Sequence, residues 1–234
     1  MTNLFIKGLK LKRERVEDFN VYPFNIPVIK SLTEIRFEKP VTFIAGENGS
    51  GKSTVIEAIA TAVGLSAEGG TQNMSYETVN TSSDLDRYLT LLKSGLNPKW
   101  KYFLRAESFY TMIQAYSHYF LDNPEIYMQS HGEAFNNIFN GFCDNGLYLM
   151  DEPESALSPK NQMKLLTKMH LLSEKGSQFI IVTHSPILLS YCNAQILNAD
   201  NYLKPVQFKD TEIYNLYRRF LEYPEKMQKL LFEE

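Results

Sequence analysis

The run Gly46-Glu-Asn-Gly-Ser-Gly-Lys-Ser-Thr54 has the spacing G-x-x-x-x-G-K-[ST], and each residue type in it has a chemical reason to be there. Glycines let successive backbone N–H groups curl around phosphate oxygens, and a helix starting at the end of the run adds the partial positive charge of its N-terminus. Gly46, Asn48, Gly49, Ser50, Gly51 and Thr54 are the expected cradle positions. Lys52 is expected to meet the β- and γ-phosphates of a nucleotide, and the Ser53 hydroxyl to bind Mg2+.

A second constellation is Leu147-Tyr-Leu-Met-Asp-Glu152, an apolar run that ends in adjacent carboxylates. On an extended backbone neighbouring side chains point to opposite sides, so the two acids can do different jobs. Asp151 is placed to hold Mg2+ through its water shell, and Glu152 to orient and deprotonate an attacking water. Two carboxylates beside buried apolar residues need a compensating cation, which Mg2+ would supply. The third is Val182-Thr-His-Ser185, where His184 directly follows another apolar run and is expected at the same sheet edge, against a γ-phosphate.

The elements that must position these residues follow from pattern. Val41–Ala45 reads as a buried strand, and residues 54–63 carry apolar side chains at helical spacing, with Gly64 as a C-cap. Residues 65–99 are rich in Gly, Ser, Thr and Asn and are expected to be loosely structured, with one short helix near 85–92. Residues 101–105, 146–150 and 178–183 read as strands, 109–121 as a helix with an aromatic face. Ser158-Pro159 and Ser185-Pro186 each pair an N-cap with proline at the first helical position. A hairpin around Asp200-Asn201 and two helices divided near Pro224 complete the pattern. Alternating strands and helices predict an α/β fold with a mainly parallel sheet covered by helices.

The order GENGSGKST, LYLMDEPESALS, VTHS resembles the ABC-type ATPases, matching their Walker A motif, Walker B motif with its glutamate, D-loop and switch histidine. Within that group the chain is most similar to the Rad50/SMC-related branch, in particular to small stand-alone ATPases described as AAA family. The resemblance implies a P-loop NTPase domain over residues 1–234, with an antiparallel β subdomain near the N-terminus and a minimal helical lobe over residues 105–145. It also implies that ATP with Mg2+ is sandwiched in a homodimer, Glu152 and His184 being catalytic. The family's LSGGQ-like signature is replaced by Gln129-Ser-His-Gly-Glu-Ala134, so Ser130 and Gly132 are the candidate contacts to the nucleotide of the opposite subunit, and His131 stands where a glycine is usual. Ser130 also suits an N-cap of a helix over 132–139, a role compatible with phosphate contact. Glu107 falls where the family's Q-loop glutamine sits and is a candidate sensor of Mg2+ or water, with a surface turn the competing reading. Tyr22, upstream of the phosphate loop, is the candidate for stacking on adenine, with a core aromatic as the alternative.

The segment between Arg105 and Ser130 is too short for a long coiled coil or for the helical subdomain that grips a membrane partner. A soluble ATP-driven switch, coupled to DNA maintenance or defence or to an effector protein, is therefore preferred to the nucleotide-binding subunit of an ABC membrane transporter.

Bulk properties agree. The 234 residues are 44% hydrophobic, enough for a sizeable core, and a net charge of −3 gives no overall pull towards nucleic acid or anionic membrane. Lys7, Lys10, Lys12, Arg13 and Arg15 form the best basic patch, read mainly as the solvated face of an N-terminal β-hairpin. Two distant cysteines outside any CxxC pair, and no apolar run of spanning length, lead to the expectation of a cytoplasmic protein with no stable membrane partner.

Overall fold

The computed structural model describes residues 4–71, 83–105, 139 and 141–233. In chain order the elements are β1 (Ile6–Leu11), α1 (Pro27–Lys30), β2 (Glu34–Arg36), β3 (Val41–Ala45), α2 (Lys52–Ala62), β4 (Gly70–Thr71), β5 (Leu89–Lys93) and β6 (Trp100–Arg105). After these come β7 (Gly146–Asp151), α3 (Pro159–Glu174), β8 (Gln178–Val182), α4 (Pro186–Leu189), β9 (Ala194–Asn198), β10 (Lys204–Pro205), α5 (Glu212–Glu222) and α6 (Pro224–Phe232).

Seven strands form one sheet in the order β10-β9-β3-β8-β7-β6-β4, and β2-β1-β5 form a separate antiparallel sheet. The five central strands β9, β3, β8, β7 and β6 run parallel, while β10 and β4 are antiparallel edges. The strands β3, β7 and β8 are buried at every position, which is why their sequences read as continuous apolar runs rather than alternating ones.

Alternation along each strand still decides which layer a side chain enters. Leu147, Leu149, Ile180 and Val182 join the core beneath α2 and the antiparallel sheet. Tyr148, Met150, Phe179 and Ile181 join the core on the opposite face with Leu165, Met169 and Leu172 of α3. The two sheets are joined by Gln178, a buried polar residue at the start of β8. Its Oε1 accepts from the N–H groups of Phe5 and Ile6, and its Nε2 donates to the Ile6 carbonyl.

Two expectations are corrected. The stretch near 85–92 is a 3-10 turn over Asp84–Tyr88 followed by strand β5, because β5 pairs along β1 and that long-range ladder overrides local helical spacing. The N-terminal strands are not a local hairpin: β1 pairs with β2 and β5, with a 3-10 turn at Arg13–Arg15 and α1 between β1 and β2. Within the basic group Lys7 and Lys10 are exposed, whereas Arg13 donates to the Lys30 and Leu32 carbonyls and lies over the Phe19 ring at 4.3 Å. The helix expected over 109–121, and nearly all of the lobe expected over 105–145, lie outside the described residues.

Candidate functional site

Register brings the chemistry to one edge. Ile44 of β3 lies beside Val182 of β8, Val182 beside Asp151 of β7, and Asp151 beside Arg105 of β6. The carboxyl ends of these strands are therefore level, and the loops leaving them carry the Gly46–Thr54 run, Glu152 and His184. Crevices at the carboxyl ends of parallel strands are where α/β sheets bind ligands.

The loop after β3 enters α2 at Lys52. Gly49 and Gly51 have φ of +80° and +96°, conformations in which a side chain is strained. At Gly51 a Cβ would also stand 2.6 Å from Ile26 Cγ2, so the loop is pressed against the residues at the start of α1. The Lys52 side chain turns back and donates to the Glu47 carbonyl at 2.6 Å. Burial lowers the Lys52 pKa, opposed by Glu152 first, then Asp200, Asp151 and Glu154.

Asp151 is an odd-numbered residue of β7 and so faces α2 with Leu147 and Leu149. Its Oδ1 accepts from the Ser53 hydroxyl at 3.2 Å. Burial pushes its pKa up to about 7, against the Ser53 hydrogen bond and the Arg105 guanidinium. Arg105 itself is ion-paired at 2.9 Å with Glu57 of α2, so the acid is flanked by a braced cation. Hydroxyl and carboxylate oxygens are hard donors, and Mg2+ takes one or two such protein ligands together with phosphate oxygens. Ser53 and Asp151 are the residues that would hold it.

Glu152 lies outside the strand. Its backbone is left-handed, φ 48° and ψ 53°, so a turn rather than strand alternation separates its carboxylate from that of Asp151. Its N–H donates to the Val182 carbonyl at 3.0 Å, tying the turn to β8. His184 Nε2 lies 3.4 Å from Glu152 Oε1. The His184 pKa is lowered by burial and by Lys52, with Glu152 and Asp200 opposing. The shift favours the neutral imidazole.

Beside the loop lies a cleft of about 460 Å³, walled by Gly46, Glu47 and Asn48 on one side and by Ile213, Leu216 and Tyr217 of α5 on the other. Asp200, in the turn after β9, accepts the Glu47 N–H with both carboxylate oxygens at 3.1 and 3.0 Å. Tyr22 is 60% exposed and is not among the residues that wall the cleft. Glu107, Ser130, His131 and Gly132 lie outside the described residues.

Three contributors were not anticipated from sequence. Glu154 stands two residues beyond Glu152 in Asp-Glu-Pro-Glu, a spacing that marks it for attention. Arg105 closes a predicted strand next to Walker B, a weaker signal. Asp200 has no local signal, since only the pairing of β9 with β3 brings it to the loop.

Comparison with known proteins finds similarity to ATPase domains. The sequence matches an AAA domain family over residues 15–98. Residues 119–190 match a second AAA domain family, whose description links it to the AbiEii toxin of a type IV TA system. No curated protein matches the chain. Among solved structures, the SMC head domain from Thermotoga maritima is 18% identical, with 87% of this chain and 100% of that one covered at a TM-score of 0.49. The ABC transporter component cbiO1 from Clostridium perfringens is 14% identical, with 86% and 90% covered at a TM-score of 0.41. No helix among the described residues is long and apolar enough to cross a membrane.

Proposed function

We propose that this P-loop ATPase domain, of the ABC/SMC-like kind, binds ATP with Mg2+ and hydrolyses it to ADP and phosphate, with Glu152 as the general base. The observation that carries the reading is the meeting of Ser53 with Asp151 at 3.2 Å and of His184 with Glu152 at 3.4 Å on one sheet edge, directly over the start of α2. Mg2+ held by Ser53 and Asp151 would neutralise developing charge on the phosphates. The chain's own part is positional and electrostatic. The loop amides from Gly49 to Thr54 and the Lys52 ammonium hold the phosphates. Glu152 orients a water and takes its proton as the water attacks the γ-phosphorus, while His184, neutral, contacts the γ-phosphate.

The test is phosphate release by purified protein with Mg2+. Glu152→Gln is expected to bind ATP but to turn it over at least about a hundredfold more slowly, since the amide keeps the shape but takes no proton. Near-normal release would assign the base elsewhere.

The residues from 1 to 234 act as one domain, a reading supported by the core that the antiparallel sheet shares with β7 and β8. Two copies sandwich two nucleotides, with Ser130 and Gly132 of each facing the phosphates bound by Lys52 of the other. Hydrolysis separates them and drives a soluble, cytoplasmic switch coupled to DNA maintenance or defence, or to an effector protein. The family description that names a toxin of a TA system supports the effector branch. The short segment between Arg105 and Ser130 favours this reading over a subunit of a membrane transporter.

A further inference from the structure

The turn after β7 reaches the segment after β8 through two carboxylates. Glu152 supplies one, beside the His184 imidazole. Glu154 supplies the other: its Oε1 accepts the backbone N–H of His184, and its Oε2 is shut off from solvent. Enclosing a carboxylate is unfavourable unless its charged form is matched by donors. Burial raises the Glu154 pKa, and the His184 N–H heads the contacts that oppose the rise. Among the acids that act on Lys52, Glu154 ranks behind Glu152, Asp200 and Asp151, so that cation is chiefly matched by others.

Nor is Glu154 a helix cap. The N-terminus of α4 is already closed by Ser185, whose hydroxyl accepts from the N–H groups of Ile187 and Leu188 at 3.1 and 3.2 Å. Ser185 also donates to Gln162 Oε1 of α3, and its own N–H bonds Thr183 Oγ1. Thr183 is held through its N–H on the Ile44 carbonyl and its side chain also meets Glu154, Ser185 is tied to Gln162 of α3, and the His184 N–H between them is held by Glu154.

We infer that Glu154 is a positioning residue: by gripping the His184 backbone it sets the imidazole against Glu152. The same turn then presents the base and orients the histidine, so the two cannot drift apart independently. This inference rests on the hydrolytic reading of Glu152 and His184, and its test includes a measurement that needs no turnover.

Glutamine retains an sp² oxygen at the position of Oε1, alanine removes it, and aspartate withdraws it by one methylene. Glu154→Ala is expected to lower kcat at least about tenfold with KM within about twofold, while Glu154→Gln recovers to within about threefold of wild type. Glu154→Asp should resemble alanine while keeping the charge, and it serves if the alanine variant fails to fold. In nucleotide-free protein, ¹H–¹⁵N spectra should show the His184 amide exchanging at least about tenfold faster in Glu154→Ala, or Glu154→Asp, with protection kept in Glu154→Gln. An unmoved His184 amide in the alanine or aspartate variant would overturn the inference, as would a glutamine variant as impaired as alanine. If wild type proves inactive, or Glu152→Gln costs nothing, the hydrolytic reading fails separately, and the His184 amide still decides whether Glu154 holds it.

Discussion

The Lys52 ammonium donates to the Glu47 carbonyl at 2.6 Å, so the phosphate-binding loop is closed by its own lysine. The same ammonium carries the charge that a β- or γ-phosphate would meet. Lys52→Ala is expected to weaken ATP binding by at least about tenfold, because charge-assisted contacts to phosphate are the strong ones. Calorimetry with Mg2+ measures it, and unchanged affinity would remove the lysine from the binding site.

The Gln178 side chain offers a test of how the two sheets are joined. Gln178→Leu keeps the volume roughly constant but leaves the Phe5 and Ile6 N–H groups and the Ile6 carbonyl without their buried partner. Each unsatisfied group costs about 1–3 kcal/mol, so a loss of about 3 kcal/mol or more is expected in urea unfolding. A change below about 1 kcal/mol would mean that the antiparallel sheet is held by apolar packing alone.

Tyr148 provides a pH dependence that is independent of nucleotide. Its hydroxyl donates to the Cys143 carbonyl at 2.8 Å and accepts from the Cys143 N–H at 2.7 Å, and its ring stacks on Phe142 and Phe179. Burial raises its pKa from 10.0 to about 12. The folded state thus holds its proton where the unfolded state has begun to lose it. The stability contributed by this group is full below pH 10 and is lost as pH rises towards 12. Thermal melting of Tyr148→Phe should show lower stability at pH 8 but a shallower decline above pH 10 than wild type. A parallel decline would assign the alkaline limb to other groups.

A site shared between two chains can be tested by complementation. Lys52→Ala and Ser130→Arg should each be inactive alone. In a mixed dimer one composite site carries both lesions and the other carries neither, so mixing the two proteins should restore part of the activity, in a manner that depends on protein concentration. Mixed dimers that form by light scattering yet stay inactive would place Ser130 away from the partner's nucleotide.

The sequence was most legible where the pattern was local and one-dimensional. The run Val41–Ala45 is strand β3, α2 opens at Lys52, two residues before the start read from the pattern, and Ser158 caps α3 by accepting the Asn161 N–H. Asp200-Asn201 lies in the 3-10 turn between antiparallel β9 and β10, and Pro224 opens the last helix. Less legible were features made by strands distant in sequence. β5 is a strand because β1 lies beside it, and Asp200 reaches Glu47 because β9 pairs with β3. The left-handed backbone of Glu152 also left no mark in composition, since glutamate carries no preference for that region.

The Gln178 bridge has a positional meaning beyond its contribution to stability. It clamps the first strand of the antiparallel sheet to the beginning of β8, and β8 ends two residues before His184. All five residues of this strand are buried, in the close packing of a protein interior. One buried strand thus carries the polar joint between the two sheets at its first residue and leads at its other end to the histidine of the candidate site.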